Sequence, residues 1–147
     1  MSDIDDPTII DRSVEKTHIW LKELADELGG KDRRYAYLAL RGVLHTLRDR
    51  LPVEVAAKPA AQLPTLIRGV YFEDWGPSRT PLPIRDVESF LEGVATEAHV
   101  AGTTEASLAV EAVTRTLRRH VSTGEVEEVL AVLPDPLREL FEAPARA

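Results

Sequence analysis

The sequence contains no cysteine, one methionine and few aromatic residues, which make up 5% of its 147 positions. The lack of cysteine excludes a disulfide framework, a thiolate nucleophile, and zinc or iron–sulfur sites that depend on cysteine ligands. No apolar stretch approaches the roughly 18 residues of a membrane span. The N-terminus is acidic and lacks the basic start and apolar run of a secretory signal. We therefore expect a cytoplasmic protein that does not enter a membrane.

The chain also has few cations relative to its acids. It carries 18 Lys and Arg against 25 Asp and Glu, which gives a formal net charge of −7. A general binder of phosphate backbones needs an excess of Lys and Arg, so nucleic acid is not an expected partner. The charge is divided unevenly, because residues 1–75 hold 11 basic and 13 acidic side chains, a net of −2, and the remainder holds −5.

An internal repeat is present at an offset of 70 residues. Without a gap, this shift gives fourteen identities over residues 13–75, and most paired apolar positions remain apolar. The matches include Thr46-Leu47-Arg48 with Thr116-Leu117-Arg118, Leu63-Pro64 with Leu133-Pro134, and Arg68 with Arg138. The sequence therefore predicts an internal duplication. We expect a flexible N-terminus over 1–12, helical unit 1 over 13–75, a proline-rich linker over 76–83, helical unit 2 over 84–142, and a tail over 143–147.

Apolar periodicity predicts helices in both copies, and no segment alternates as a strand does. The first helix should bury a stripe of six residues: Val14, Trp20, Leu21, Leu24, Ala25 and Leu28. Candidate helix-terminal residues are Gly29-Gly30 as a stop, and Asp32, Asp86, Thr103 or Thr104, and Ser122 as N-caps. The third and fourth helices are expected at about 52–61 and 64–73. The predicted fold is all-α, with about eight helices in two pseudo-repeated four-helix units that share one core.

Three strings of this sequence resemble the DUF2267 family of bacterial proteins. They are Trp20-Leu21, the run 35–52 that ends in Arg48-Asp49-Arg50-Leu51-Pro52, and the run 61–75 that begins with Ala61-Gln62-Leu63-Pro64. The resemblance covers about 13–142 and implies an all-α bacterial cytoplasmic protein, but it implies no activity. The sequence departs from the family pattern at Pro59, which we expect to shorten or kink the third helix.

Comparison of the two copies indicates where a binding site could lie. Arg48/Arg118 and Arg68/Arg138 occur in both, which favours a structural role in which each guanidinium bonds to free carbonyls or a carboxylate at the same corner. Other polar features occur only in the first copy. The predicted ligand or partner site comprises Arg41, His45, Arg48, Gln62, Arg68, Tyr71 and Trp75. Alternatively, these cations pair with acids of the neighbouring helix, and Trp75 covers the joint between the units.

The residues favour a non-enzymatic protein. The four histidines are scattered, no HExxH or Gly-x-Ser-x-Gly motif occurs, and we expect no catalytic residue, metal site or cofactor. The predicted function is a helical binding module that recognises an acidic protein segment through a cationic and aromatic face of unit 1. Two alternatives stay open: a protein that binds a small anionic ligand in a pocket between the units, and a DNA-associated regulatory protein. The oligomeric state also stays open.

Overall fold

The computed structural model describes residues 8–142, and over this range it contains eight α-helices and no strand. The helices are α1 (Thr8–Glu27), α2 (Arg33–Asp49), α3 (Val53–Ala57), α4 (Thr65–Phe72), α5 (Val87–Ala98), α6 (Thr103–His120), α7 (Thr123–Ala131) and α8 (Asp135–Phe141). The all-α prediction is confirmed. Residues 1–7 of the expected flexible N-terminus and the expected tail 143–147 lie outside the described residues. Residues 8–12 belong to α1 rather than to a flexible segment.

Side-chain caps begin three of the helices at the predicted positions. Asp32, Asp86 and Ser122 each accept a hydrogen bond from the backbone N–H three residues later, at 2.8, 2.8 and 3.4 Å respectively. Each bond satisfies one N–H that has no partner within its helix. The expected cap at Thr103 or Thr104 is wrong by one residue or more, because Gly102 occupies the N-cap of α6.

Two further predictions are also confirmed: the end of the first helix at Gly29-Gly30 and the shortening of the third helix at Pro59. Gly29 and Gly30 end α1 with φ angles of +84° and +88°, a left-handed conformation that glycine adopts without steric cost. Pro59 ends α3 early, since proline has no N–H to donate and the chain continues as a 3-10 turn over Lys58–Gln62. The corresponding helix of the second half, α7, has no proline in its interior and runs for nine residues.

The core is centred on α2 and α6, which are surrounded by the other helices. α2 buries the face predicted from its periodicity and packs closely against α5 at Gly42. A Cβ atom at Gly42 would lie 2.6 Å from the Cβ of Ala98 and 2.7 Å from its backbone nitrogen, so only glycine fits at this crossing. On α1 the expected stripe is buried only from Trp20 onward, and Val14 is 39% exposed.

The proline-rich segment 76–83 follows α4, and its C-terminal end is attached to the end of α2. The backbone N–H of Leu82 donates to the carbonyl of Asp49 at 2.8 Å, and the guanidinium of Arg50 donates to the carbonyl of Ile84. Burial lowers the pKa of Arg50, and the nearby Arg85 lowers it further. These bonds hold the chain against the first half before α5 begins.

The helices of the two halves begin at matching positions. α2, α3 and α4 begin at residues 33, 53 and 65, and α6, α7 and α8 begin 70 residues later at 103, 123 and 135. The first helices differ, because α1 has 20 residues and α5 has 12. Shifted back by 70, the start of α5 corresponds to residue 17, so residues 8–16 of α1 have no α-helical counterpart among the described residues. Among the described residues, no helix is long and apolar enough to cross a membrane.

Candidate functional site

The structure divides the seven predicted site residues between two places. Five of them surround the C-terminal end of α4, and we call this group the α4 corner: Arg41, His45, Arg48, Tyr71 and Trp75. The other two, Gln62 and Arg68, line a groove beside the N-terminal half of α1, which we call the α1 groove. The predicted site is therefore not one continuous surface.

Arg48 is the largest fully buried side chain of the described residues and is only 1% exposed. Its Nη1 donates to the carbonyl oxygens of Tyr71 at 2.6 Å and Glu73 at 2.8 Å, and its Nε donates to Asp49 at 2.8 Å. These carbonyls belong to the end of α4, where the last C=O groups have no partner within the helix. Arg48 therefore supplies the cap for α4, which agrees with the structural role favoured by the sequence.

Arg41 and His45 lie on the same face of α2 and also contact the end of α4. His45 is 2% exposed, and its Nε2 donates to the carbonyl of Val70 at 2.6 Å, while its Nδ1 lies 3.4 Å from Oε1 of Glu97. Arg41 pairs with Glu73 at 3.0 Å and lies within 4 Å of two further carboxylates, Asp74 and Glu97. The hydrogen bond with Glu73 raises the pKa of Arg41. The charge of Arg41 is thus neutralised within the chain.

The two aromatic residues of the α4 corner are packing residues. Tyr71 is 3% exposed, its hydroxyl donates to the carbonyl of Ala56, and burial raises its pKa. Tyr71 therefore does not wall an exposed groove, contrary to the expectation. Trp75 is half-buried and stacks on Phe72 with 5.3 Å between ring centroids. The indole N–H of Trp75 is buried and has no hydrogen-bond partner among the described residues.

The second half does not repeat the arginine cap. Arg118, the counterpart of Arg48, is exposed, and no described carbonyl or carboxylate bonds to it. Arg138, the counterpart of Arg68, pairs with the carboxylate of Asp135 and lies 3.9 Å from that of Glu142. The α4 corner is therefore a feature of the first half alone.

The α1 groove lies between the N-terminal half of α1 and the segment 61–68, and its volume is about 540 Å³. Its lining includes the cations Arg12, Lys16 and Arg68 as well as His120, but it includes no Asp or Glu. Asp11 and Glu15 lie on the same helix but do not line the groove. This absence of acidic residues contrasts with the net charge of −7 of the whole chain.

The segment 61–68 contributes Arg68 and Gln62 to the groove wall. Arg68 is hydrogen-bonded to carbonyls of its own segment, and Gln62 is hydrogen-bonded to Ser122 of the second half. Arg68 donates from Nε to the carbonyl of Ala60 at 2.9 Å and from Nη2 to that of Leu63 at 3.1 Å. Its partners are carbonyls, so its positive charge is held in place without an opposing carboxylate. Gln62 donates to the hydroxyl of Ser122 at 3.1 Å and accepts from the backbone N–H of Ser122 at 2.7 Å. Both ends of the Gln62 amide therefore bond within the chain.

The α1 wall supplies the two exposed cations of the groove. Arg12 and Lys16 lie one turn apart on the same face of α1, and both are exposed. Among residues 8–142, no carboxylate lies within ion-pair distance of either side chain. At the far end of the groove, His120 lies 2.8 Å from Glu23 and stacks on Trp20, with 4.6 Å between their ring centroids. Arg12, Lys16 and Arg68 therefore have no compensating carboxylate among the described residues.

Exposed apolar side chains contribute to the same groove. The described residues include eight large apolar side chains that are exposed, and two of them, Ile9 and Ile19, line the groove. Three more lie on α1 or at the start of α4: Ile10, Val14 and Leu66. The two elements touch here, because the backbone N–H of Leu66 donates to the hydroxyl of Ser13 at 3.3 Å. Clustered exposed apolar surface next to polar residues is typical of an interaction site.

The sequence reasoning missed the α1 wall of this groove. The spacing of Arg12 and Lys16 places them on one helix face, but neither cation has a basic counterpart in the second copy, where Leu82 and Asp86 occupy the matching positions. A signal was available in the length of the helical pattern, which begins earlier in the first copy than in the second. The nine-residue extension of α1 over residues 8–16 is the feature that would have pointed to the groove.

A second cavity, enclosed by residues from both halves, has a different character. Its volume is about 60 Å³, and its walls are almost entirely apolar, with Leu44, Leu51, Leu117 and Leu130 among them. Glu125 is its only charged lining residue, so this cavity offers no cation to an anionic ligand.

Among the described residues, no group of three or more His, Asp or Glu side chains is placed to hold a metal ion.

Fold and site together define an all-helical protein with one core and a cation-lined groove on its surface. The chain belongs to the DUF2267 family of uncharacterised conserved proteins, whose sequence profile matches residues 17–140. A comparison with curated proteins found no match. The matched segment begins after residue 16, so the part of α1 that carries Arg12 and Lys16 lies outside it.

Proposed function

We propose that this protein is a non-enzymatic binding module that recognises an acidic protein segment in the α1 groove. The observation that carries the proposal is the convergence of three cations, Arg12, Lys16 and Arg68, on one groove. Within residues 8–142, none of the three has a carboxylate partner and no acidic residue lines the groove. An acidic segment would supply the missing counter-charges. The proposed site keeps Gln62 and Arg68 of the sequence-based site and replaces its other members with residues of α1.

The balance of charges favours the α1 groove over the α4 corner. Arg41 pairs with Glu73 at 3.0 Å, so a partner that approached Arg41 would first have to displace Glu73. Arg12 and Lys16 have no such partner in the part of the chain that the structure describes. Exposed ion pairs contribute only about 0.2–1 kcal/mol each, so charge alone gives weak binding. Burial of the exposed isoleucines Ile9 and Ile19 would add the apolar contribution that a specific complex needs.

We further infer that the chain is built from two units related by duplication. The fourteen identities at an offset of 70 support this, as do the matching starts of three helix pairs. The packing supports it as well, since α2 packs on α5 and their counterparts α6 and α1 also pack on each other. Under this inference, the groove arose at a place where the two units differ. Lys16 lines the groove, whereas its counterpart in the second unit, Asp86, is the N-cap of α5.

A small anionic ligand is the second candidate, and one observation favours it. Arg68 is held rigidly by backbone carbonyls, so its guanidinium is preorganised as an anion receptor requires. The exposed isoleucines argue for a larger occupant with apolar groups.

We expect the protein to act in the bacterial cytoplasm, as its family resemblance implies.

An NMR titration distinguishes these functions. Labelled protein is titrated at low salt with an acidic peptide rich in Glu and Leu, with inorganic phosphate, and with a mixed-sequence DNA duplex. The proposal expects the peptide to shift the backbone amides of residues 9–20 and 61–68 while those around Arg41 and Trp75 stay in place. Shifts confined to the α4 corner would contradict the proposed site. Saturable binding of phosphate or DNA, with no response to the peptide, would replace the proposed function with one of the alternatives.

A further inference from the structure

We infer that the acidic segment binds as an amphipathic helix of about three turns, laid along the first half of α1. This inference rests on the proposed function and specifies its partner. The occupant is an α-helix of another protein, with an apolar stripe flanked by Asp or Glu. The inference depends on the shape of the α1 wall, on the hydrogen-bonding groups that the groove offers, and on the positions of its cations.

The α1 wall presents the pattern that one helix uses to pack on another. Ile9, Ser13, Lys16 and Trp20 line the groove at spacings of four, three and four residues, which places them in one row along the helix. The buried residues of α1 are confined to its later turns, so the face over residues 8–19 packs on no core. From Ile9 to Trp20 the row extends for about 16 Å, which matches three turns of a partner helix.

The groove favours a helix over an extended peptide because of what its walls can bond to. α1 uses its own backbone N–H and C=O groups within the helix, and no strand edge exists among residues 8–142. An extended peptide gains much of its affinity from backbone hydrogen bonds to the edge of a strand. Because the groove offers no strand edge, the N–H and C=O groups of an extended peptide would lie unpaired against Ile9 and Ile19. A helix satisfies its own backbone bonds and offers only side chains.

The positions of the cations define where the partner carries its acids. Arg12 and Lys16 lie on the α1 wall, and Arg68 lies on the opposite wall. A helix between them meets positive charge on both flanks, so we expect its acidic residues on both sides of one apolar stripe. A second copy of α1 would bring Arg12 and Lys16 against themselves, and this like-charge contact is unfavourable.

Two synthetic peptides of about 14 residues test the helical mode by isothermal titration calorimetry at low salt. Both have blocked ends, the same number of Glu and Leu residues, and acids on both flanks of a leucine stripe at helical spacing. The second carries two central prolines in place of alanines, which prevents a continuous helix. We expect the first peptide to bind at least about tenfold more tightly. We also expect its far-UV circular dichroism to show increased helicity when bound.

Each outcome decides between the two proposals. Equal affinity for both peptides, with no gain of helicity, would overturn the helical mode and leave recognition of an acidic segment intact. Failure of both peptides to bind at low salt would overturn the proposed function itself. A third peptide with Lys in place of Glu serves as the charge control, and its binding as tightly as the first would also overturn both. Ultracentrifugation of the protein alone tests the remaining occupant, since self-association through α1 would contradict a separate partner.

Discussion

Tyr35 and Glu105 form a direct hydrogen bond, Oη to Oε2 at 3.1 Å, between the first turns of α2 and α6. They are 70 residues apart, which is the offset between the proposed units, so each residue contacts its own counterpart. Lys58 and Glu128 repeat this relationship at 2.6 Å. In a twofold arrangement, a residue touches its counterpart only near the axis. Both contacts are what the proposed duplication predicts if its two units are related by a pseudo-twofold axis.

Elsewhere the two halves differ, and one of the differences, the extension of α1, forms a wall of the proposed site. The first half has the extended α1, the shortened α3 and the buried cap Arg48. The second half has a short α5 and the exposed Arg118 in the corresponding places. Counterpart residues of this kind provide matched controls, because the same substitution can be made in two environments of one molecule.

Replacement of Arg48 by Met should lower the free energy of unfolding by about 3 kcal/mol. The substitution leaves the carbonyls of Tyr71 and Glu73 buried without their donor, and unpaired buried polar groups are costly. The control is Arg118→Met, which should change the free energy by less than about 0.5 kcal/mol because this side chain is exposed. Urea denaturation measures both. Equal effects of the two substitutions would mean that Arg48 does not cap α4.

Replacement of Gly42 by Ala should destabilise the protein by about 2 kcal/mol, although Ala is the better helix former. The added methyl would lie within 2.8 Å of the backbone of Ala98 and force α2 and α5 apart. Gly69 in α4 faces open space, so Gly69→Ala should instead stabilise the protein by about 0.5–1 kcal/mol. Thermal unfolding of the two variants gives the signs. A stabilising Gly42→Ala would show that the helices do not cross closely at this position.

The stability contributed by the Tyr71 hydroxyl should decrease at alkaline pH. Burial raises the pKa of Tyr71 in the folded chain above its ordinary value of 10.0. Below about pH 10 both states keep the phenol proton, and above it the unfolded chain ionises first, so stability falls as the pH rises. Tyr71→Phe lacks this ionisation. Urea denaturation of both proteins at about pH 8 and about pH 11 measures their difference in free energy of unfolding. This difference should be smaller at the higher pH. A difference that stays constant with pH would contradict the account.

Replacement of Ile9 by Ser should weaken binding of the helical acidic peptide without affecting the fold. Ile9 is 44% exposed in the free protein, so its loss should change the free energy of unfolding by less than about 0.5 kcal/mol. In the complex it becomes buried, and its loss should raise the Kd roughly tenfold. Leu108, 52% exposed on α6, provides the control Leu108→Ser, which should leave the Kd unchanged. Calorimetry and urea denaturation together separate binding from stability.

The sequence predicted the helices well and the site only in part, and particular residues show why. Helix starts at Asp32, Asp86 and Ser122 depend on local hydrogen bonds, which follow from residue type and position. Arg41 and His45 lie on one face of α2, as their spacing of four residues implies. Their contacts with Glu73 and Glu97 depend instead on how α4 and α5 pack against α2. Such tertiary contacts follow from the packing of distant segments, which periodicity does not give.

The most direct test of acidic recognition in the α1 groove is a charge exchange at Lys16. The affinity of the helical acidic peptide is measured for the native chain and for Lys16→Glu, and again with a peptide in which the facing Glu is replaced by Lys. We expect each single change to weaken binding roughly tenfold and the two together to restore it, which corresponds to a coupling of about 2.7 kcal/mol. Arg34→Glu, an exposed cation on α2, should leave the affinity unchanged. The account is contradicted if Lys16→Glu binds as tightly as the native chain, or loses no more affinity than Arg34→Glu.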